Sequence, residues 1–140
     1  MKNAVATTST NAWLYHLVEQ LVRSSQHSID RSQSCVVNDI PEDLCVSTDP
    51  EVLSTVINGM LSIAIIHAKD SCIRISASIS SEMVLLNLRD YNRFNSYSGA
   101  SGLQDIQSLA ERLGGSLAVA AMRQGEKTIA LSLPLQFHAA

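Results

Sequence analysis

The sequence predicts a single α+β domain, a two-layer sandwich in which three helices cover one face of a mixed β-sheet. The chain has 140 residues, about the size of one domain, and shows no internal repeat. Hydrophobic residues make up 46% and charged residues 16%, which is enough apolar material for a packed core. Apolar positions also alternate between helical and strand spacing along the chain. We expect the domain to span 12–135, with tails at 1–11 and 136–140.

A first helix and two short strands are predicted near the N-terminus. Apolar residues recur at helical spacing over 13–22. The polar segment 24–34 predicts a loop. The apolar segments 35–37 and 44–46 then predict two strands, one on each side of the break at Pro41.

The long helix that follows has a clear start. Asp49 is a favourable N-cap residue, and Pro50 suits the first helical position. The apolar residues beyond them predict a helix that continues to about Ala68 and is deeply buried in its C-terminal half.

Two hairpins and a third helix complete the predicted domain. Strands at 72–79 and 83–88 form the first hairpin, and the alternation in 72–79 leaves one face towards solvent. A helix is predicted over 103–113, where a glycine pair ends it. Strands at 116–122 and 127–133 form the final hairpin.

Composition argues against several classes of function. The net charge of −3 disfavours binding to nucleic acid or to an anionic membrane. The longest apolar stretch, 60–68, is too short to cross a bilayer, and 1–11 lacks the apolar core of a signal peptide. We therefore expect a cytoplasmic location, with no nucleic-acid or membrane partner.

Three cysteines, Cys35, Cys45 and Cys72, lie beside apolar residues, and none forms a C-x-x-C pair. An odd number of separated cysteines predicts reduced, buried side chains rather than a disulfide or a metal site. The acidic residues around the start of the long helix are expected to form a solvated surface. No metal site is predicted.

Three stretches of sequence follow one another in a characteristic order. Asp49 starts the helix that contains 58–67, the strand 86–90 ends at Asp90, and the segment 102–116 ends in Gly-Gly-Ser. A Gly-Glu-Lys-Thr sequence and a last strand follow. In this order and spacing they resemble the ATPase domain of sensor histidine kinases, which has the Bergerat (GHKL) fold. The resemblance covers nearly the whole predicted domain and implies a role in two-component signalling.

The resemblance also implies nucleotide contacts on the long helix. In the family, two asparagines one turn apart face the nucleotide, and the second holds Mg²⁺. These positions fall on Gly59 and Ile63, and the basic position that follows falls on Ile66. Isoleucine has no lone pair to ligate a hard cation, so we expect Ile63 and Ile66 to belong to the core. A shift of one residue would offer Asn58 and Ser62 instead, although it rotates the helix by about 100°.

Three other nucleotide positions are retained. The resemblance implies that Asp90 accepts a hydrogen bond from the adenine amino group and that Thr128 shares a water with it. Gly102 opens the third helix, whose free N–H groups can bind an anion. The glycines expected after Asp90 are replaced by Asn92 and Phe94, which would crowd a nucleotide.

Asp90 has no evident basic partner in the sequence. A buried carboxylate without one requires hydrogen bonds, which favours a polar role for this residue. The alternative is that Asp90 caps the loop that follows its strand.

Histidine kinases phosphorylate a histidine in a sequence such as H-E-x-x-x-P. Neither His16 nor His27 is followed by such a sequence, so we expect no phosphoacceptor and no autokinase activity in this chain. Because the asparagine and most glycine positions are replaced, no catalytic residue is assigned.

The favoured hypothesis is a degenerate, stand-alone histidine kinase-type ATP-binding domain that acts as a non-catalytic signalling or regulatory module. Its expected partner is a response regulator, a histidine kinase or a second copy of itself, and Trp13 and Leu17 on the first helix offer a contact surface unless they cover the sheet. No cofactor is required, and ATP or ADP binds weakly if at all.

The alternative hypothesis is a functional ATP-binding domain that acts as a kinase in trans, of the sensor histidine kinase or anti-sigma-factor kinase type. The candidate nucleotide-binding residues are Asp90, Thr128, Gly102, Asn58 and Ser62.

Overall fold

The computed structural model describes residues 10–67, 70–90, 102–121 and 127–135. Seven strands and four helices lie within these residues. In chain order they are β1 (Thr10–Trp13), α1 (Leu14–Ser24), α2 (Gln26–Arg31), β2 (Cys35–Asn38), β3 (Cys45–Thr48), α3 (Pro50–His67), β4 (Cys72–Ser80), β5 (Met83–Asp90), α4 (Leu103–Arg112), β6 (Ser116–Ala121) and β7 (Lys127–Pro134).

Five strands form the main sheet in the order β2-β4-β5-β7-β6. β2 runs parallel to β4, and the other neighbouring strands are antiparallel. β1 and β3 pair with each other in a separate two-stranded sheet. The mixed sheet predicted from the sequence is therefore confirmed, and a small second sheet accompanies it.

One face of the main sheet packs against the helices. Alternate residues of β5 and β7 are buried and the residues between them are half-buried, as expected when only one face is covered. The helices contribute buried residues to the same core, among them Val18 of α1, Ile57 of α3 and Ile106 of α4. The predicted α+β sandwich is confirmed, with four described helices in place of three.

α3 is the central helix of this core. It begins where Asp49 Oδ1 accepts hydrogen bonds from the backbone N–H groups of Glu51 at 3.0 Å and Val52 at 3.4 Å, as the N-cap prediction required. Its 18 residues and mean hydropathy of 1.3 would by themselves suit a membrane-spanning helix. Packing inside the domain accounts for that composition, because its buried residues are Leu53, Val56, Ile57, Met60, Leu61, Ile63, Ala64 and Ile65.

Two short elements were not predicted. β1 includes Thr10 and Asn11, which the sequence assigned to the N-terminal tail, and α2 occupies part of the predicted loop 24–34. α2 has one buried residue, Ile29, so its six residues show no helical periodicity of apolar positions. β1 is held by its pairing with β3, a contact that local sequence does not encode.

The cysteine prediction is wrong for two of the three residues. Cys35 of β2 and Cys72 of β4 form a disulfide, and their Cα atoms are 4.5 Å apart. They lie 37 residues apart in sequence, and the parallel register of β2 and β4 makes them direct neighbours. Cys72 is exposed and Cys35 is half-buried, so neither is the buried thiol expected. Cys45 is a free, half-buried thiol.

A glycine pair ends α4 as predicted, and its second member has a close neighbour. Gly114 adopts a φ of 82°, the left-handed conformation that favours glycine at a helix end. A Cβ atom on Gly115 would lie 1.9 Å from the backbone oxygen of Ser132 in β7. Only glycine therefore lets the α4–β6 connection approach the sheet this closely.

We predict that Gly115→Ala lowers the free energy of unfolding by at least about 2 kcal/mol, because β7 backbone has to move to admit the methyl group. Gly102→Ala is the matched control, since no atom of the described residues beyond its chain neighbours lies within 4 Å of the position that its methyl group would take. Its φ of 85° should cost only about 1 kcal/mol. Urea unfolding measures both changes, and equal losses for the two variants would contradict the prediction.

Candidate functional site

Asp90 is the last residue of β5 and points into the covered face of the sheet. Residues of β5 alternate between half-buried and buried, and Asp90 continues the inward series of Leu86 and Leu88. Its relative exposure is 0%. The carboxylate expected from the sequence is thus buried, and its environment decides what it can bind.

Two side chains contact this carboxylate, one from just before β4 and one from β7. Ser71, just before β4, donates a hydrogen bond from its Oγ to Asp90 Oδ1 at 2.6 Å. Lys127, the first residue of β7, lies directly opposite Asp90, with its Nζ 3.3 Å from Oδ2. The Lys127 side chain is only 4% exposed. Both carboxylate oxygens therefore have partners within the protein.

The expectation that Asp90 lacks a basic partner is wrong. The antiparallel register of β5 and β7 brings Lys127 to Asp90 from a distant part of the sequence. A signal for this was present in β7, because Lys127 precedes Ile129, Leu131 and Leu133 at a spacing of two residues. A strand that turns those three residues inward also turns Lys127 inward. Ser71 had no comparable signal, since it lies in the turn before β4.

Thr128 does not share a face with Asp90. It lies opposite Arg89 in the β5–β7 ladder, and it is half-buried while the residues on either side of it are buried. Consecutive residues in a strand point to opposite faces, so Thr128 lies on the uncovered face and Asp90 on the covered face. The structure therefore does not bring these two predicted site residues together.

The helix positions that face nucleotide in the family are filled by packing. A Cβ atom on Gly59 would lie 2.4 Å from Ile106 Cγ2, so α3 and α4 are in close contact there. Ile63 is 5% exposed, which confirms the prediction that it belongs to the core. The same prediction is wrong for Ile66, which is 76% exposed because it lies on the solvent stripe of α3.

Asn58 and Ser62 lie on that solvent stripe, one helical turn apart. Thr55 and Ile66 are exposed in the same series, at a spacing of three or four residues. This face of α3 points away from the core, and the Asp90 carboxylate lies within the core. The alternative helix register thus places two polar side chains at the surface.

Gly102 is the N-cap of α4 and is exposed, with a φ of 85°. Its carbonyl accepts the first hydrogen bond of the helix, from Ile106 N at 3.2 Å. Asn92 and Phe94, at the replaced glycine positions, lie outside the described residues.

Known structures share this architecture. The catalytic domain of histidine kinase ThkA superposes with a TM-score of 0.78, at 16% identity, over 91% of this chain and 96% of that chain. The chain has the histidine kinase-like ATPase fold. The histidine kinase AdeS of Acinetobacter baumannii gives a TM-score of 0.79 at 12% identity, over 91% of this chain and 67% of that chain.

A curated sensor protein is similar in sequence as well. The sensor protein VanS of Enterococcus faecium is 30% identical over 87 residues, which is 61% of this chain. The matched region spans 23% of the length of VanS. No family model matches the chain. The histidine kinase-like ATPase fold is therefore supported by both structure and sequence, in agreement with the resemblance noted from the residues.

We predict that Asp90 and Lys127 are strongly coupled, so that their substitutions have non-additive effects on the free energy of unfolding. Lys127→Met leaves a buried carboxylate without its counter-ion, so the free energy of unfolding should fall by about 3–5 kcal/mol. Combining it with Asp90→Asn removes both charges and should recover most of that loss. Urea unfolding of the wild type, the two single variants and the double variant gives the coupling energy.

The control for this double-mutant cycle is an ion pair at the protein surface. Arg74 and Asp39 form one with side chains 58% and 42% exposed. Arg74→Met should therefore cost no more than about 1 kcal/mol. If Lys127→Met cost as little as Arg74→Met, the buried pair would not have the role assigned to it.

Proposed function

We propose that this domain is a signalling module with a histidine kinase-like ATPase fold that works by protein contact and does not turn over ATP. The fold supports a histidine kinase-type domain, and the internal contacts of Asp90 support the absence of nucleotide chemistry. The module has no catalytic residue of its own under this proposal.

The enclosed carboxylate of Asp90 is the observation that carries the proposal. For Asp90 to receive an adenine amino group, a ligand has to reach one of its oxygens, and Asp90 is 0% exposed. Ser71 donates to one oxygen, and Lys127 Nζ lies 3.3 Å from the other. Lys127 is buried beside this carboxylate, so a ligand that takes the place of the ammonium group would leave a buried charge without its partner.

The α3 positions support the same conclusion for the metal. Mg²⁺ requires oxygen ligands in near-octahedral geometry, and it usually retains several waters. Gly59 offers no side chain and packs near Ile106, while Ile63 offers only carbon and is buried. These positions supply contacts between α3 and α4 instead of ligands.

The proposed partner is a protein of a two-component pathway. The histidine kinase ThkA has been solved in complex with the response regulator protein TrrA, and that structure gives a TM-score of 0.72 with this chain. We propose a response regulator, a histidine kinase or a second copy of this chain as the partner, in the cytoplasm. Trp13, at the end of β1, is 48% exposed and offers an aromatic anchor for such a contact.

A second candidate is an ATP-binding domain that phosphorylates a target in trans. One observation favours it: the full-length ShkA structure in complex with AMPPNP gives a TM-score of 0.76 over 100% of this chain and 33% of that chain. Under this candidate, Lys127 has to leave Asp90 when nucleotide arrives. Nucleotide titration distinguishes the two candidates.

We predict that ATP and ADP, each with and without Mg²⁺, give no binding heat at millimolar concentration and no shift in the unfolding midpoint. A native-state ligand at 100 times its dissociation constant would add about 2.7 kcal/mol to the free energy of unfolding, which a thermal-shift assay detects readily. Titration calorimetry on the wild type is the primary measurement. Binding that requires Mg²⁺ would overturn the proposal and favour the kinase.

Asp90→Asn is the matched variant for any binding that is observed. If adenine recognition through Asp90 persists, this substitution should abolish the binding heat. If nucleotide does not use Asp90, the substitution should change stability alone.

For the partner, sedimentation tests self-association, and titration with a purified response regulator tests the contact that the proposal requires.

A further inference from the structure

We propose that Cys35 and Cys72 form a redox modification site whose disulfide is opened by a dithiol reductant in the folded domain. The site is assembled by topology, since β2 and β4 are parallel neighbours and the two cysteines are register partners. Cys72 is exposed, as the outward member of the β4 alternation. Its sulfur is therefore accessible to an attacking thiolate without unfolding of the core.

The disulfide ties one end of the edge strand β2 to the sheet. At that end, Cys35 N donates to Ser71 O at 3.3 Å and Asp70 N donates to Ser32 O at 3.1 Å. The other end has separate ties, because Asp39 N donates to Ile75 O at 2.8 Å and Asp39 pairs with Arg74. Reduction should therefore release the Cys35 end of β2 while the opposite end and the core remain folded.

The β2–β4 connection also reaches the buried carboxylate. Ser71 accepts a hydrogen bond from Cys35 N through its backbone oxygen, and its Oγ donates to Asp90 Oδ1 at 2.6 Å. Ser71 is covalently adjacent to Cys72. Loosening of the disulfide should therefore weaken the Ser71–Asp90 hydrogen bond, so the oxidation state of the cysteines affects the environment of Asp90.

The exchange balances with a dithiol as the reductant. One thiolate attacks Cys72 Sγ, the bond to Cys35 breaks, and Cys35 leaves as a thiolate that takes up a proton. The second thiol of the reductant then attacks its partner in the mixed disulfide and releases Cys72, which is protonated in turn. The reductant is oxidised to a disulfide by two electrons, and reversal of the exchange with that oxidised dithiol reforms the Cys35–Cys72 bond.

The first experiment counts thiols in the folded chain. The oxidised chain is treated with dithiothreitol without denaturant, quenched with acid, unfolded, alkylated and analysed by mass spectrometry. We expect the thiol count to rise from one, that of Cys45, to three, while the far-ultraviolet circular dichroism is retained. Three thiols before treatment, or a disulfide that opens only in denaturant, would overturn the proposal.

The second experiment localises the effect. Hydrogen exchange of the reduced chain should be at least about tenfold faster at 34–38 and 70–74, with the β5–β7 ladder unchanged. The Cys35→Ser/Cys72→Ser double variant should show the same pattern without reductant, and Cys45→Ser should leave the wild-type response intact. Faster exchange throughout the chain would identify a purely structural disulfide and overturn the proposal.

A third measurement tests the coupling between the Cys35–Cys72 disulfide and the environment of Asp90. In a ¹⁵N–¹H spectrum, reduction should move the Asp90 amide signal towards its position in oxidised Ser71→Ala, in which the hydrogen bond is absent. An Asp90 signal that does not move on reduction would overturn the coupling. None of these three measurements depends on whether the domain binds nucleotide.

Discussion

The antiparallel pairing of β5 with β7 is the constraint on which the candidate site depends. These strands are neighbours inside the five-stranded sheet, and their register decides which side chains share the covered face. The inward pairs along this ladder are Val84–Leu133, Leu86–Leu131, Leu88–Ile129 and Asp90–Lys127. A slip of one residue would turn the inward residues of one strand to solvent. The register that fills the core with apolar side chains therefore also joins the two charges.

The Asp90–Lys127 ion pair and the α3–α4 contact each fill a candidate ligand position with atoms of the chain itself. A buried ion pair contributes little net stability, but removing one partner is costly. Asp90 and Lys127 pair with each other, and Asp90 also accepts a hydrogen bond from Ser71. Gly59 and Ile63 instead belong to the packed contacts of α3. In each case a position that a ligand could occupy is filled from within the chain. This internal filling is the basis for proposing that the domain works through its surface.

Local sequence predicted the elements that carry strong signals of their own. The Asp49 N-cap and the glycine pair after α4 each favour one backbone conformation, so the predicted bounds of α3 and α4 lie close to the observed ones. The alternation of apolar residues located the strands of the first hairpin. β1, α2 and the Cys35–Cys72 bond depend on partners distant in sequence. Strand alternation accounts for the burial of Asp90 in the structure, whereas its partner depends on the register between strands. The resemblance alone associates Thr128 with Asp90, whereas alternation along β7 places it on the other face of the sheet.

The close approach of α3 to α4 constrains how this chain can change over evolutionary time. Gly59 leaves no room for a side chain because Ile106 Cγ2 occupies that space. A larger residue at 59 becomes tolerable only after Ile106 has become smaller, and that first step opens a cavity in the core. The two positions should therefore vary together among descendants of this sequence. A polar residue at 59 would have to follow a smaller residue at 106, so packing between α3 and α4 limits the order in which these two positions can change.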